Sequence, residues 1–330
     1  MTKSSASWKQ ALSQAFTKPE ALFAYLALDP ALLPAAIEAS RDFSFKVPRG
    51  FAARMKKGDI HDPLLKQVLP LGVELQSLPG YSPDPLNENA SNPLPGLLHK
   101  YQGRVLFITS GTCAINCRYC FRRHFPYEDN NPGKAGWEEV LAYIARDPSI
   151  DEVILSGGDP LVNSDTQLGF LMDKLAAIPH VSTVRLHTRL PIVLPERITP
   201  ELVAILQHPR LKLVVVLHSN HANEIDEAVR AALKALQNAG IVLLNQTVLL
   251  RGINDTVPAQ TALHKTLFAS GVLPYYLHLL DPVAGAAHFQ VAEAEAKVLM
   301  RNLQKVLPGY LLPKLAKEVP GFSSKALIGF

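Results

Sequence analysis

Apolar residues along this 330-residue chain follow two patterns that meet near residue 96. Before it, "SWKQALSQAF", "PEALFAYLAL" and "PALLPAAIEA" space their apolar positions at helical intervals and are punctuated by proline. The stretch from about 5 to 75 therefore predicts short helices. "LPGYSPDPLNENASNPLPG" (78–96) is crowded with Pro, Asn and Gly and predicts a long irregular connection and a boundary. Beyond it, short apolar runs alternate with amphipathic helical segments. The runs are "RVLFIT" (104–109), "EVILSG" (152–157), "TVRLHT" (183–188), "LKLVVVLH" (211–218), "VLLNQTVLL" (242–250) and "YYLHLL" (275–280). After the fourth, Ile225, Val229, Ala232 and Leu236 share one helical face, and Gly240 stands where a glycine ends a helix. Such alternation predicts βαβ units and a parallel sheet. Six units are two short of a closed eight-fold barrel. The expected fold is thus α/β: a partial (β/α)6 TIM-like barrel over 96–330, with an N-terminal helical extension and linker over 1–95.

Composition excludes some partners. Hydrophobic residues make up 48% of the chain, enough for a sizeable core. The 33 basic and 29 acidic residues are intermixed, for a net charge of +4, which argues against nucleic-acid or membrane partners. Apolar stretches such as "LVVVL" (213–217) fall far short of the ~20 residues a membrane span needs. The first thirty residues lack the apolar stretch of a secretory signal, and "MTKSSASWKQ" lacks the arginine of an organellar transit peptide. The cytoplasm is the expected location, in keeping with unpaired thiols.

Parallel barrels carry their active sites on the loops that follow the strands. All three cysteines, Cys113, Cys117 and Cys120, lie in "SGTCAINCRYCFRRHFPY" (110–127), directly after the first run. "SGGDPL" (156–161) ends the second run, His187 and Arg189 the third, and His218 the fourth. Gln246 and Arg251 lie in or just past the fifth, and Asp281 ends the sixth. The residues with chemical potential converge on one rim. Three clustered thiols cannot pair off as disulfides, and their C-x3-C-x2-C spacing suits metal. A closed zinc site needs a fourth ligand, for which His124 is the candidate. An iron–sulfur cube on three thiolates instead leaves one iron open to an outside molecule.

With Tyr119 beside its last cysteine, this loop resembles the signature of radical S-adenosylmethionine (SAM) enzymes. In that family the open iron chelates SAM, and the reduced cluster splits it to a deoxyadenosyl radical. Ser156, Gly157, Gly158 and Asp159 resemble the glycine-rich strand end that receives the methionine amino group. "GLLHKYQGRVLFITSGTCAINCRYCFRRHFPY", "LSGGDPL", "RLPIVLPERIT", "NQTVLLRGIND" and "PYYLHLLD" are similar to the lysine 2,3-aminomutases, most of all the short bacterial type that makes β-lysine for modification of elongation factor P. The likeness extends to "VPRGFAARMKKGD" and "DPLLKQVLP" near the N-terminus. It implies a [4Fe-4S] cluster, SAM and pyridoxal 5′-phosphate (PLP) as cofactors, with free L-lysine as substrate. It also implies an external flavodoxin- or ferredoxin-like electron donor and a separate ligase that passes β-lysine to elongation factor P.

The resemblance carries over residue by residue. Lys325, in "EVPGFSSKALIGF", matches the PLP lysine, although the family's glycine-rich turn is reduced to Gly321 and its following Thr-Pro is replaced by "ALIG"; Lys317 and Lys314 are fallbacks. Lys100, Tyr101 and Arg104 match phosphate-contacting positions, and His218 and Gln246 match positions lining the SAM pocket. Arg122 matches the arginine that pairs the substrate carboxylate, and Asp281 with Glu318 match the acidic pair for the amino end. A glutamate aminomutase built on the same machinery would want a cation facing the distal carboxylate, which Asp281 and Glu318 oppose. A zinc-stabilised, non-catalytic binding module is the remaining alternative. Longer aminomutases carry a C-terminal extension with zinc-binding cysteines between subunits; none follows Lys325, so that mode of assembly is not expected.

Overall fold

The computed structural model describes residues 5–130, 133–322 and 324–330. All six apolar runs are strands: β2 Arg104–Ser110, β3 Glu152–Gly157, β4 Thr183–Thr188, β5 Lys212–His218, β6 Val242–Val248 and β7 Leu273–His278. Three further strands join them among the described residues: β1 Leu97–Tyr101, β8 Lys314–Lys317 and β9 Ala326–Leu327. The nine form one sheet in chain order. β2 to β8 are parallel, so the sheet holds seven parallel strands where the apolar runs count six. β1 and β9 flank it antiparallel. Side chains from β1 at one edge and β9 at the other line one common cavity, so the sheet is curled into an open barrel.

The barrel helices follow the periodicity. They are α6 Gly133–Arg146, α7 Asp165–Ala176, α9 Pro200–Leu206, α10 Glu227–Asn238, α11 Val257–Ala269 and α12 Glu293–Leu303, with short turns α5 Tyr127–Asn130 and α8 Leu190–Val193 between them. In α10, Asp226 caps the first turn by accepting from the Val229 amide, and Gly240 adopts φ +75° just past the end. Ile225, Val229, Ala232 and Leu236 are all buried, so the stripe read from the sequence is the face that meets the sheet.

The N-terminal region forms α1 Ser5–Ser13, α2 Pro19–Leu26, α3 Leu33–Asp42 and α4 Arg49–Ala52. Its Trp8, Phe16, Leu22, Phe51 and Leu64 belong to the same buried apolar cluster as Val105, Phe107, Leu155 and Val184 of the sheet. The 78–96 connection runs back over the barrel mouth: the Ser82 amide donates to Pro282 O and the Ala284 amide to Ser82 O, each at 3.0 Å. This ties the connection to the loop carrying Asp281 and delivers Glu88 to the cavity.

Candidate active site

A cavity of about 610 Å³ opens at the C-terminal ends of the parallel strands. Cys113, Cys117, Cys120, Lys100, Tyr101, Arg104, Arg122, Ser156, Gly157, Gly158, Asp159, His218, Gln246, Asp281, Glu318 and Lys325 all line it. His187 and Arg189 do so as well.

The cysteine loop is clamped from outside the barrel. Arg118, between Cys117 and Tyr119, is fully buried and pairs with Glu74 at 2.6 Å, and Arg123 reaches the same carboxylate at 3.1 Å. Burial pushes the Cys120 thiol up to about 11, with a charge on Cys117 adding to it. Burial likewise raises Cys113, and a charge on Cys120 acts in the same direction. Three thiolates this close need a shared cation. Among the described residues no three His, Cys, Asp or Glu side chains are arranged to hold a single ion; a cluster instead distributes its thiolates over several irons. His124, the fourth ligand of the zinc reading, meets the Ala284 carbonyl at 3.3 Å. Arg189 Nε, beside this loop, is buried without an acceptor. The donor set and this orphaned N–H fit a bound iron–sulfur group.

The end of β3 is pressed against the cysteine loop. Gly157 has φ +113°, and a Cβ there would stand 2.4 Å from Ser110 O; a Cβ on Gly158 would stand 2.3 Å from Thr112 O. Only glycine permits this approach. Asp159 is buried and accepts from Thr188 Oγ1 at 2.7 Å and from the amides of Leu161, Arg189 and Leu190. Its carboxylate thereby fixes the turn after β4. Burial raises it to about 6. His218 stacks on Tyr119 with ring centroids 5.7 Å apart and Nε2 at 3.1 Å from Tyr119 Oη. Burial, reinforced by the Arg189 cation, lowers it to about 3 and keeps it neutral.

Lys325 lies at the opposite wall. Pairing of β9 with β8, and the Ile328 amide donating to Leu315 O at 2.9 Å, pins the segment that a terminal lysine would otherwise leave frayed. Lys325 Nζ pairs with Glu318, whose second oxygen accepts from Tyr101 Oη at 2.9 Å. Lys317 instead pairs with Glu293 at 2.8 Å and Lys314 lies over the Tyr275 ring, so neither fallback lysine joins the lining. Arg104 stacks over Tyr101, and Lys100 stands 3.6 Å from Glu88. Asp281 is pushed up to about 7, chiefly by burial and then by the charge of Glu318. Arg251 is outside the site, bonded to Asp255 and Glu295.

Several residues in or behind the site carry no motif signal of their own in the sequence. Glu88 lies in the Pro/Asn-rich connection, and Gln67 and Glu224 are polar residues in short 3-10 turns behind the cavity lining. Tyr276 and His278 could have been found from their places near the end of β7, and Arg185 from its alternation with His187 along β4.

Residues 107–262 match the model of the Radical SAM superfamily. Over 325 residues the chain is 48% identical to the L-lysine 2,3-aminomutase of Escherichia coli (strain K12), covering 98% of this chain and 95% of that protein. Over 320 residues it is 45% identical to the L-lysine 2,3-aminomutase of Haemophilus influenzae, covering 97% and 95%. The enzyme of the same name from Clostridium subterminale is 38% identical over 270 residues, covering 81% of this chain and 64% of that one.

Proposed function

This chain belongs to the L-lysine 2,3-aminomutase family of the radical SAM superfamily, and from that premise we propose that the cavity inside its curled sheet is where the reaction takes place. The protein is an isomerase that converts L-α-lysine to β-lysine with a [4Fe-4S] cluster, SAM and PLP. When bound, the cluster and SAM supply a radical that removes an unactivated hydrogen, and PLP supplies the π system through which nitrogen migrates.

In this reading Cys113, Cys117 and Cys120 hold the cluster. Ser156, Gly157, Gly158 and Asp159, with His218 and Gln246, form the SAM pocket. The neutral His218 and the close-packed glycines support this, since they leave room and uncharged surface beside the thiols. Lys325 holds PLP, with Lys100, Tyr101 and Arg104 around its phosphate. In the ligand-free chain Lys325 Nζ is held at this position by its ion pair with Glu318.

Arg122 orients the substrate carboxylate, since its planar guanidinium matches that group two-pronged. Asp281 and Glu318 receive the ε-ammonium. The observation that carries the reading is that Glu318 already holds an alkyl ammonium, that of Lys325, next to Asp281 and on the same cavity as the three thiols. A glutamate side chain would set a third carboxylate against this pair. Anaerobically reconstituted enzyme given either L-lysine or L-glutamate, with SAM, PLP and dithionite, should turn over lysine alone; preference for glutamate would overturn the assignment.

Among the described residues no helix is long and apolar enough to cross a membrane. We place the enzyme in the cytoplasm, fed by a flavodoxin- or ferredoxin-like donor. Its β-lysine goes to a separate ligase acting on elongation factor P.

A further inference from the structure

Beneath the cysteine loop lies a buried polar group of side chains that substrate handling does not use. Arg189 follows β4 and is 6% exposed. Its Nη1 donates to Tyr119 Oη at 2.7 Å and stands 2.7 Å from Cys117 Sγ. Its Nη2 donates to Gln67 Oε1 at 2.6 Å and to Glu224 Oε2 at 3.1 Å. Glu224 is fully buried. Its other oxygen accepts from the amides of Asn220 and His221 and from Gln67 Nε2. Gln67 comes from the N-terminal region, and its own backbone carbonyl accepts from the Arg118 amide at 2.9 Å.

One cation and one anion are thus held out of water in fixed positions, with the cation against a cysteine sulfur. We propose that Arg189 and Glu224 set the reduction potential of the iron–sulfur cluster held through Cys117, with Gln67 positioning the pair. The proposal rests on the assignment of the three cysteines to that cluster. Hydrogen bonds to cluster sulfurs and the net charge around them are among the factors that fix such potentials. A donor and positive charge at Cys117 favour the added electron; the Glu224 carboxylate, one guanidinium away, opposes it. Both side chains are buried, where charge is poorly screened. The arrangement reconciles two needs: Arg189 offsets negative charge at Cys117, while Glu224 keeps the cluster a strong one-electron reductant.

The two charges make opposite predictions. Wild type, Arg189→Met, Arg189→Lys and Glu224→Gln are each reconstituted anaerobically, and iron and sulfide are counted. A wild type without a cluster overturns the cysteine assignment itself. With the cluster present, midpoint potentials are read by electron paramagnetic resonance during reduction with dithionite, without added SAM. Arg189→Met should move the potential to more negative values and Glu224→Gln to less negative values, with Arg189→Lys close to wild type. Glu224→Gln preserves shape, so its shift stands even if Arg189→Met folds poorly. Coincident potentials, or shifts of the same sign in the two neutralised variants, overturn the proposal.

Discussion

Arg122 and Glu88 meet as a two-point fork, Nε to Oε2 at 2.7 Å and Nη2 to Oε1 at 2.8 Å, on the wall of the cavity. Glu88 grips the Nε–Nη2 edge, which leaves the Nη1–Nη2 edge for a substrate carboxylate. Arg122→Lys keeps the charge and loses the fork. It should raise KM for lysine by about tenfold or more, roughly 1.4 kcal/mol, with a smaller change in kcat. Steady-state kinetics check this, and an unchanged KM would remove Arg122 from the substrate site.

Glu74 lies between Arg118 and Arg123, with its side chain and both arginine side chains at 0% exposure. Removing the shared anion leaves the buried Arg118 without a carboxylate and Arg123 with Asp42 alone, at 3.4 Å. Glu74→Ala should cost about 3–5 kcal/mol of stability and lower iron content, because Arg118 is flanked by Cys117 and Tyr119. Denaturant unfolding of cluster-free protein measures the first effect; a loss below about 1 kcal/mol would mean the clamp is not structural.

Two glycines should respond oppositely to alanine. At Gly158 the new Cβ would stand 2.3 Å from Thr112 O and 2.6 Å from Thr112 C, both backbone atoms that cannot swing aside. Gly158→Ala should therefore lose SAM binding in equilibrium dialysis. At Gly169, inside α7, the nearest atom would be Ile205 Cγ2 at 4.0 Å, so Gly169→Ala should raise stability by about 0.5–1 kcal/mol. Equal effects at the two positions would contradict the packing described.

The six parallel strands read from apolar runs were legible because each is long and bordered by turn residues. β8 was not, since Lys314 and Lys317 bracket only Leu315 and Ala316, and a four-residue strand is defined by its neighbour β7. The two residues of β9 form only by pairing with β8, and this pairing turns Lys325 from a near-terminal charge into a cavity residue. Motif spacing and resemblance brought out the cysteines, the glycine turn and the acids after the strands. Glu88, Gln67 and Glu224 were silent because their partners, Arg122 and Arg189, are brought to them only by tertiary folding.

Burial, with the Glu318 charge adding to it, raises Asp281 to about 7. Below that pH it is protonated and its attraction for the substrate ammonium is lost. KM for lysine should therefore fall as pH rises through about 7, and Asp281→Asn should raise KM and flatten the profile. The folded protein binds this proton more tightly than the unfolded chain, whose Asp titrates near about 4. Between these values stability is drained as pH rises, so ligand-free Asp281→Asn should unfold at higher temperature than wild type above about pH 7. A KM insensitive to pH in wild type would contradict this.

The most direct measurement follows the nitrogen. L-lysine carrying heavy nitrogen at its α position is incubated with reconstituted enzyme, SAM, PLP and dithionite, and the product is analysed by mass spectrometry. The account predicts β-lysine with the label on C3, formed only with all components present and absent in Cys117→Ala and Lys325→Ala. Recovery of unchanged α-lysine from the fully loaded enzyme, or labelled β-lysine from either variant, would contradict it.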